Sequence, residues 1–113
     1  MLDDTQTRDA ADLLWRHWQD DARLPALPGA LRPATRAEGY AIQAVLEERG
    51  AARLYGWKIA ATSSHGQAHI GVDGPLAGRL LAERVYDDGA TLPFGANHMR
   101  VAEPEFAFRK FDN

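Results

Sequence analysis

The chain has 113 residues, of which 45% are apolar and 26% charged, a balance typical of one soluble globular domain. Sixteen acidic and thirteen basic residues give a formal charge of −3 with no lysine or arginine run, which argues against a nucleic-acid-binding surface. The absence of cysteine excludes disulfides, thiolate metal sites and cysteine nucleophiles. An acidic, polar start and no apolar run of about 20 residues predict a cytoplasmic protein without a membrane segment.

The first half of the chain is predicted to be helical. Apolar residues recur at helical spacing over about residues 5–20. A loop containing three prolines follows. Thr35 and Glu38 then form the T-x-x-E pattern of a capping box, which predicts the start of a second helix. Gly50 is placed where that helix should end.

The second half of the chain is predicted to be rich in strands. Residues 54–61 (LYGWKIAA) alternate as in a strand, and a short helix is predicted between Ser63 or Ser64 and Gly71. Residues 71–78 are predicted to be loop and 80–86 strand.

The last segment, residues 99–108 (MRVAEPEFAF), has the clearest strand pattern. The chain is therefore predicted to be α+β, with a helical N-terminal segment (1–52) and the first part of a β-rich domain (53–113).

Glu103 and Glu105 are the strongest candidates for chemistry. Because the side-chain period of a strand is two, both glutamates should point to one face, and Phe106 and Phe108 to an opposite core face. Neighbouring carboxylates repel each other unless a cation lies between them, and such oxygen ligands suit Mg²⁺ or Mn²⁺. A half-exposed strand with two solvated glutamates gives the same pattern and is more common.

Lys58 is the second candidate, because lysine is not favoured in the middle of a strand. Its neighbours on the same face, Gly56 and Ala60, leave room for the carboxylate of a ligand. An edge strand protected by a charged residue is the alternative interpretation, and the pattern alone favours it.

Four segments, in order, resemble the 2-keto-4-pentenoate hydratase group of the fumarylacetoacetate hydrolase superfamily. They are GYAIQ (39–43), GWKIAATSS (56–64), HIGVDGPLAGRLL (69–81) and EPEFAF (103–108). Together they are far more specific than any one alone.

The resemblance implies roles for five residues. Glu103 and Glu105 match two of the three carboxylate metal ligands, Lys58 matches the active-site lysine, and Thr62 and Ser63 match a T-S element near the substrate. It also implies a lyase of aromatic-compound breakdown, acting on a small 2-oxo acid with Mg²⁺ or Mn²⁺, and a homo-oligomer.

Two departures from the family pattern qualify this expectation. Leu76 occupies the place of an aspartate linked to hydration, so hydratase and decarboxylase chemistry both stay open. The third glutamate ligand would lie beyond Asn113, so we expect a truncated domain with an incomplete site. The alternative function is a non-catalytic remnant that self-associates or pairs with a full-length relative.

Overall fold

A computed structural model describes residues 1–51 and 53–111. Contacts divide the chain into two compact units. The helical unit consists of Met1–Ala51 and Ala90–Met99, and the sheet unit lies within Ala52–Gly89 and Arg100–Asn113. The predicted boundary at residue 52 falls outside the described residues. Helices and a small antiparallel sheet confirm the α+β class.

The two long helices begin at capping boxes. Helix α1 spans Asp4–Gln19 and is capped by Asp3, whose side chain accepts the backbone N–H of Gln6. Helix α2 spans Arg36–Arg49 and begins at the predicted capping box. Both helices were therefore predicted correctly, and the second was predicted with its cap.

Close packing of α1 on α2 forms the core of the helical unit. Two alanines on α1 and two β-branched residues on α2 are buried: Ala10, Ala11, Ile42 and Val45. Small side chains on α1 allow the two backbones to approach closely. Four leucines cover this core: Leu2, Leu14, Leu31 and Leu46. At the edge of the contact, Arg49 Nε lies 2.6 Å from Asp12 Oδ1 and ties the C-terminal end of α2 to α1.

Glu38 connects two backbone segments of the helical unit, the start of α1 and the start of α2, through three hydrogen bonds. Its carboxylate accepts the N–H groups of Leu2 at 2.6 Å, Ala34 at 2.7 Å and Thr35 at 3.1 Å. These bonds favour the charged form, so they hold the pKa of Glu38 below its usual value of 4.5, with the Leu2 N–H as the largest cause.

Glu38→Gln should lower the stability of the chain at neutral pH and flatten its pH dependence. A carboxylate with a depressed folded-state pKa contributes stability above its unfolded pKa, and that contribution is lost as the pH falls through the folded value. Urea unfolding of wild type and variant at neutral pH and at about pH 3 measures this. The exposed Glu83 supplies the control variant Glu83→Gln. An undiminished difference in stability at the acidic pH would contradict the prediction.

The sheet unit contains three antiparallel strands in the order β2-β1-β3. Strand β1 spans Leu54–Ala60, β2 spans Leu76–Leu81 and β3 spans Phe106–Arg109. A register irregularity lies between Leu54 and Gly56. Strand β1, which was predicted from alternation, is therefore the central strand among the described residues.

Helix α3 spans Ser64–Ile70 between β1 and β2. Ser63 is its N-cap, and Gly71 ends it in the left-handed region at φ 73°. A cap at Ser63 or Ser64 and an end at Gly71 were predicted. Among the described residues, none of the helices has the length and apolar character needed to cross a bilayer.

The prediction for β2 was wrong. Residues 71–78 were expected to be loop and 80–86 strand, but the strand begins at Leu76 and a 3-10 helix spans Ala82–Arg84. Glycine and proline favoured a loop locally. Pairing with β1, which matches Leu76 with Ala60 and Gly78 with Lys58, overrides that local preference.

The prediction for the last strand was too long. Of residues 99–108, only 106–108 belong to β3, so Glu103 and Glu105 precede the strand rather than lie within it. Pro104 has no N–H to donate to a ladder, and the described pairing with β1 begins at Phe106. The expected core face is also wrong, because Phe106 is 78% exposed and Phe108 61%.

Candidate active site

An ion pair between β1 and the segment before β3 is the centre of the candidate site. Lys58 Nζ lies 3.0 Å from Glu105 Oε2. In the register Lys58 is opposite Ala107, so Glu105, two residues earlier, is a diagonal neighbour on the same face. The Lys58 side chain is 41% exposed and that of Glu105 is 21% exposed, so water still screens this contact.

Gly56 allows β3 to approach β1. A Cβ atom at this position would lie 1.9 Å from the carbonyl oxygen of Phe108 and 3.0 Å from the Cα of Arg109. Only glycine leaves space for the backbone of β3. Gly56 is the first residue of the GWKIAATSS segment. The close approach of β3 explains why this segment begins with glycine.

Glu103 lies outside any strand and is exposed. The structure thus brings Glu105 into contact with Lys58. Glu103 lies two residues earlier, in the exposed segment before β3. The roles of Lys58, Glu103 and Glu105 stay predictions.

Ser63 and Thr62 follow β1 at the start of α3. The Ser63 hydroxyl accepts the N–H of Gly66 at 3.1 Å, which gives it a local role as helix cap. Thr62 is exposed. The turn into this segment is tight, because Ala61 adopts φ 55° and its carbonyl accepts a bond from Gln67 Nε2 at 3.0 Å. Their predicted contact with substrate stays untested.

Leu76, the departure from the family pattern, begins β2 opposite Ala60. It is half-buried. Directly paired residues in an antiparallel sheet share a face, so Leu76 lies on the face of the sheet that carries Lys58. An apolar side chain therefore stands where the resemblance places an aspartate.

Two curated proteins are similar to this chain: 2-keto-4-pentenoate hydratase of Paraburkholderia xenovorans (strain LB400) and 2-keto-4-pentenoate hydratase 3 of Pseudomonas putida. Each is 29% identical to the chain over 106 residues, which are 91% of the chain. The chain is a distant relative of the 2-keto-4-pentenoate hydratases. It spans 39% of the length of the relatives it matches. No protein-family model matches, and no solved structure does.

The relation to the hydratases raises the question of whether the described residues fit a divalent metal. Within the described ranges, no group of three or more His, Cys, Asp or Glu side chains is placed to hold one. The E-x-E segment offers two carboxylates, and that of Glu105 already pairs with an ammonium group. Mg²⁺ prefers six oxygen ligands in near-ideal geometry. The described residues therefore do not form a complete metal site.

Two neighbours of Lys58 were missed by the sequence analysis. Gly78 on β2 and Ala107 on β3 lie directly opposite it. With Gly56 and Ala60 on its own strand, the four positions directly beside and directly across from Lys58 on its face hold only glycine or alanine. Alternation within β1 identified only the neighbours along the chain, because the register between strands is not encoded locally.

Proposed function

We propose that this chain carries part of the active site of a lyase similar to 2-keto-4-pentenoate hydratase, which acts on a small 2-oxo acid with Mg²⁺ or Mn²⁺. The observation that supports it is the contact between Lys58 and Glu105, two residues that match the lysine and a metal-binding glutamate of the family pattern. Distant similarity to the hydratases over 91% of the chain supports the same assignment.

Lys58 is suited to hold the carboxylate of a 2-oxo acid. Its ammonium group is a compact positive charge with three donors, and it is partly accessible to water. The four residues directly beside and directly across from it have no side chain beyond a methyl group: Gly56, Ala60, Gly78 and Ala107. A small planar acid therefore has access to the ammonium group, while Leu76 supplies an apolar contact on the same face.

Glu103 and Glu105 are the carboxylates that we expect to contact the cation. Water and the substrate would supply the remaining oxygen ligands. Because the described residues offer only two carboxylates, and Lys58 competes for one of them, binding should be weak. We expect millimolar affinity or worse, roughly −4 kcal/mol or weaker, and no turnover of 2-hydroxypenta-2,4-dienoate by these 113 residues.

Isothermal titration with Mn²⁺ tests this assignment. Weak binding should be lost in Glu103→Gln and in Glu105→Gln, because each removes a charged oxygen ligand. Glu83→Gln, which removes an exposed carboxylate elsewhere in the sheet unit, should leave binding unchanged. Equal binding by all four proteins would refute the metal assignment. Micromolar binding abolished by Glu105→Gln would instead reveal a complete site.

The second candidate function is non-catalytic self-association or pairing with a full-length relative. The observation that favours it is the exposure of Phe106 (78%) and Phe108 (61%) on β3. Strand β3 lies at the edge of the described sheet. An edge strand with exposed aromatic residues is a template for pairing with another chain.

A further inference from the structure

The stem of Lys58 lies over Gly78. The two residues are directly opposite in the register of β1 and β2. A Cβ atom built on Gly78 would lie 3.1 Å from Lys58 Cγ, 3.2 Å from Cε and 3.7 Å from Cδ. The three nearest heavy atoms to that position therefore all belong to the Lys58 side chain.

The strand itself gives no reason for glycine at position 78. Its φ is not in the left-handed region, and the nearest atoms are not backbone, in contrast to Gly56. Within a strand, glycine is less favourable than residues with side chains, which pack on the pleated surface. The feature that glycine permits here is the path of the Lys58 stem.

We propose that Gly78 is a positioning residue for Lys58. Its missing side chain leaves the space in which the Lys58 stem lies, and so sets the ammonium group 3.0 Å from Glu105. Even a methyl group at position 78 is too close to Cγ and Cε for the present conformation and displaces the stem by some tenths of an ångström. A valine displaces it further. The proposal rests on the proposed function, since it assigns Gly78 a task in that site.

Selective labelling of the two lysines tests this positioning directly. Lys58 and Lys110 are the only lysines in the sequence, so the exposed Lys110 is an internal reference. Reductive methylation of the full chain, followed by mass spectrometry, gives the ratio of Lys58 to Lys110 labelling. The ion pair with Glu105 lowers the reactivity of the Lys58 amine toward the reagent. Glu105→Gln should therefore raise the ratio about two- to threefold, as fits a partly exposed pair.

Gly78→Val should raise the ratio to the value of Glu105→Gln, and Gly78→Ala to a value between that and wild type. The double variant of Gly78→Val with Glu105→Gln should show no further rise, because the pair is already broken. Gly29→Ala is the matched control, since a Cβ there has no atom within 4 Å, and its ratio should equal that of wild type.

A merely structural role for Gly78 predicts a different result. Valine favours strands, so thermal unfolding should not shift downwards in Gly78→Val if only the Lys58 path changes. A wild-type ratio in Gly78→Val, or additive effects in the double variant, would overturn the proposal. So would an unchanged ratio in Glu105→Gln. The labelling uses neither metal nor substrate. A negative result in the Mn²⁺ titration would therefore refute the metal assignment alone, and a negative labelling result would refute the role of Gly78 alone.

Discussion

Replacing Gly56 by alanine should detach β3 from β1. The new Cβ would lie 1.9 Å from the Phe108 carbonyl oxygen and 2.9 Å from its carbonyl carbon. These are backbone atoms, which cannot rotate away as the end of a side chain can. Either the strands separate or the whole of β3 shifts, so we expect a loss of stability of at least about 2 kcal/mol. The contact between Lys58 and Glu105 should be lost with it.

Hydrogen exchange gives a local measurement of this effect. The Lys110 N–H donates to the Tyr55 carbonyl at 2.7 Å, so its protection reports whether the end of β3 stays on β1. Protection should fall sharply in Gly56→Ala. Gly29→Ala should change neither this protection nor stability by more than about 0.5 kcal/mol, because its Cβ would meet no atom within 4 Å. Full protection of Lys110 in Gly56→Ala would contradict the prediction.

Helix positions followed from local sequence because their determinants are local. The bond between the Thr35 hydroxyl and the Glu38 N–H spans three residues, so the T-x-x-E pattern alone is enough to indicate it. The cap at Ser63 and the left-handed Gly71 are equally short-range. Amphipathic spacing then determined which sides of α1 and α2 face each other.

Strand β2 was misplaced because its determinants lie on another strand. Pro75 and Gly78 favour a loop by themselves, and the strand exists because β1 offers a ladder from Leu54 to Ala60. The steric reason for Gly78, a lysine stem lying across it, depends on a register that no local pattern specifies. Non-local pairing therefore accounts for both the misplaced strand and the missed neighbour of Lys58.

The proximity of Lys58 and Glu105 was expected from the sequence, but the geometry of their contact was not. Alternation placed Glu105 on the face of Ala107, and the resemblance connected it with Lys58. The structure adds the 3.0 Å contact and removes Glu105 from the strand. Pro104 was the signal in the sequence that the strand would begin later, since proline cannot donate to a ladder.

We expect a second copy of the chain to pair with β3, the edge strand of the sheet among the described residues. In an antiparallel pair centred on Ala107, Glu105 of each copy lies opposite Arg109 of the other, and Phe106 lies opposite Phe108. This register keeps the charged residues on one face and the aromatic residues on the other. It also forms two opposite-charge contacts and two aromatic contacts per dimer, as a two-fold symmetric interface requires.

We therefore expect self-association at tens of micromolar, measured by sedimentation. Arg109→Glu places a glutamate opposite Glu105 twice per dimer, and Glu105→Arg places arginine opposite Arg109, so each variant alone should be monomeric. Mixed in equal amounts, the two variants restore opposite charges at both contacts and should form a heterodimer.

Leu92→Lys, which changes an exposed apolar residue of the helical unit, should associate like wild type. A monomeric wild type, or a mixture that stays monomeric, would rule out this pairing. Because the same Glu105 contacts Lys58, association through β3 would bring the candidate site next to the second copy.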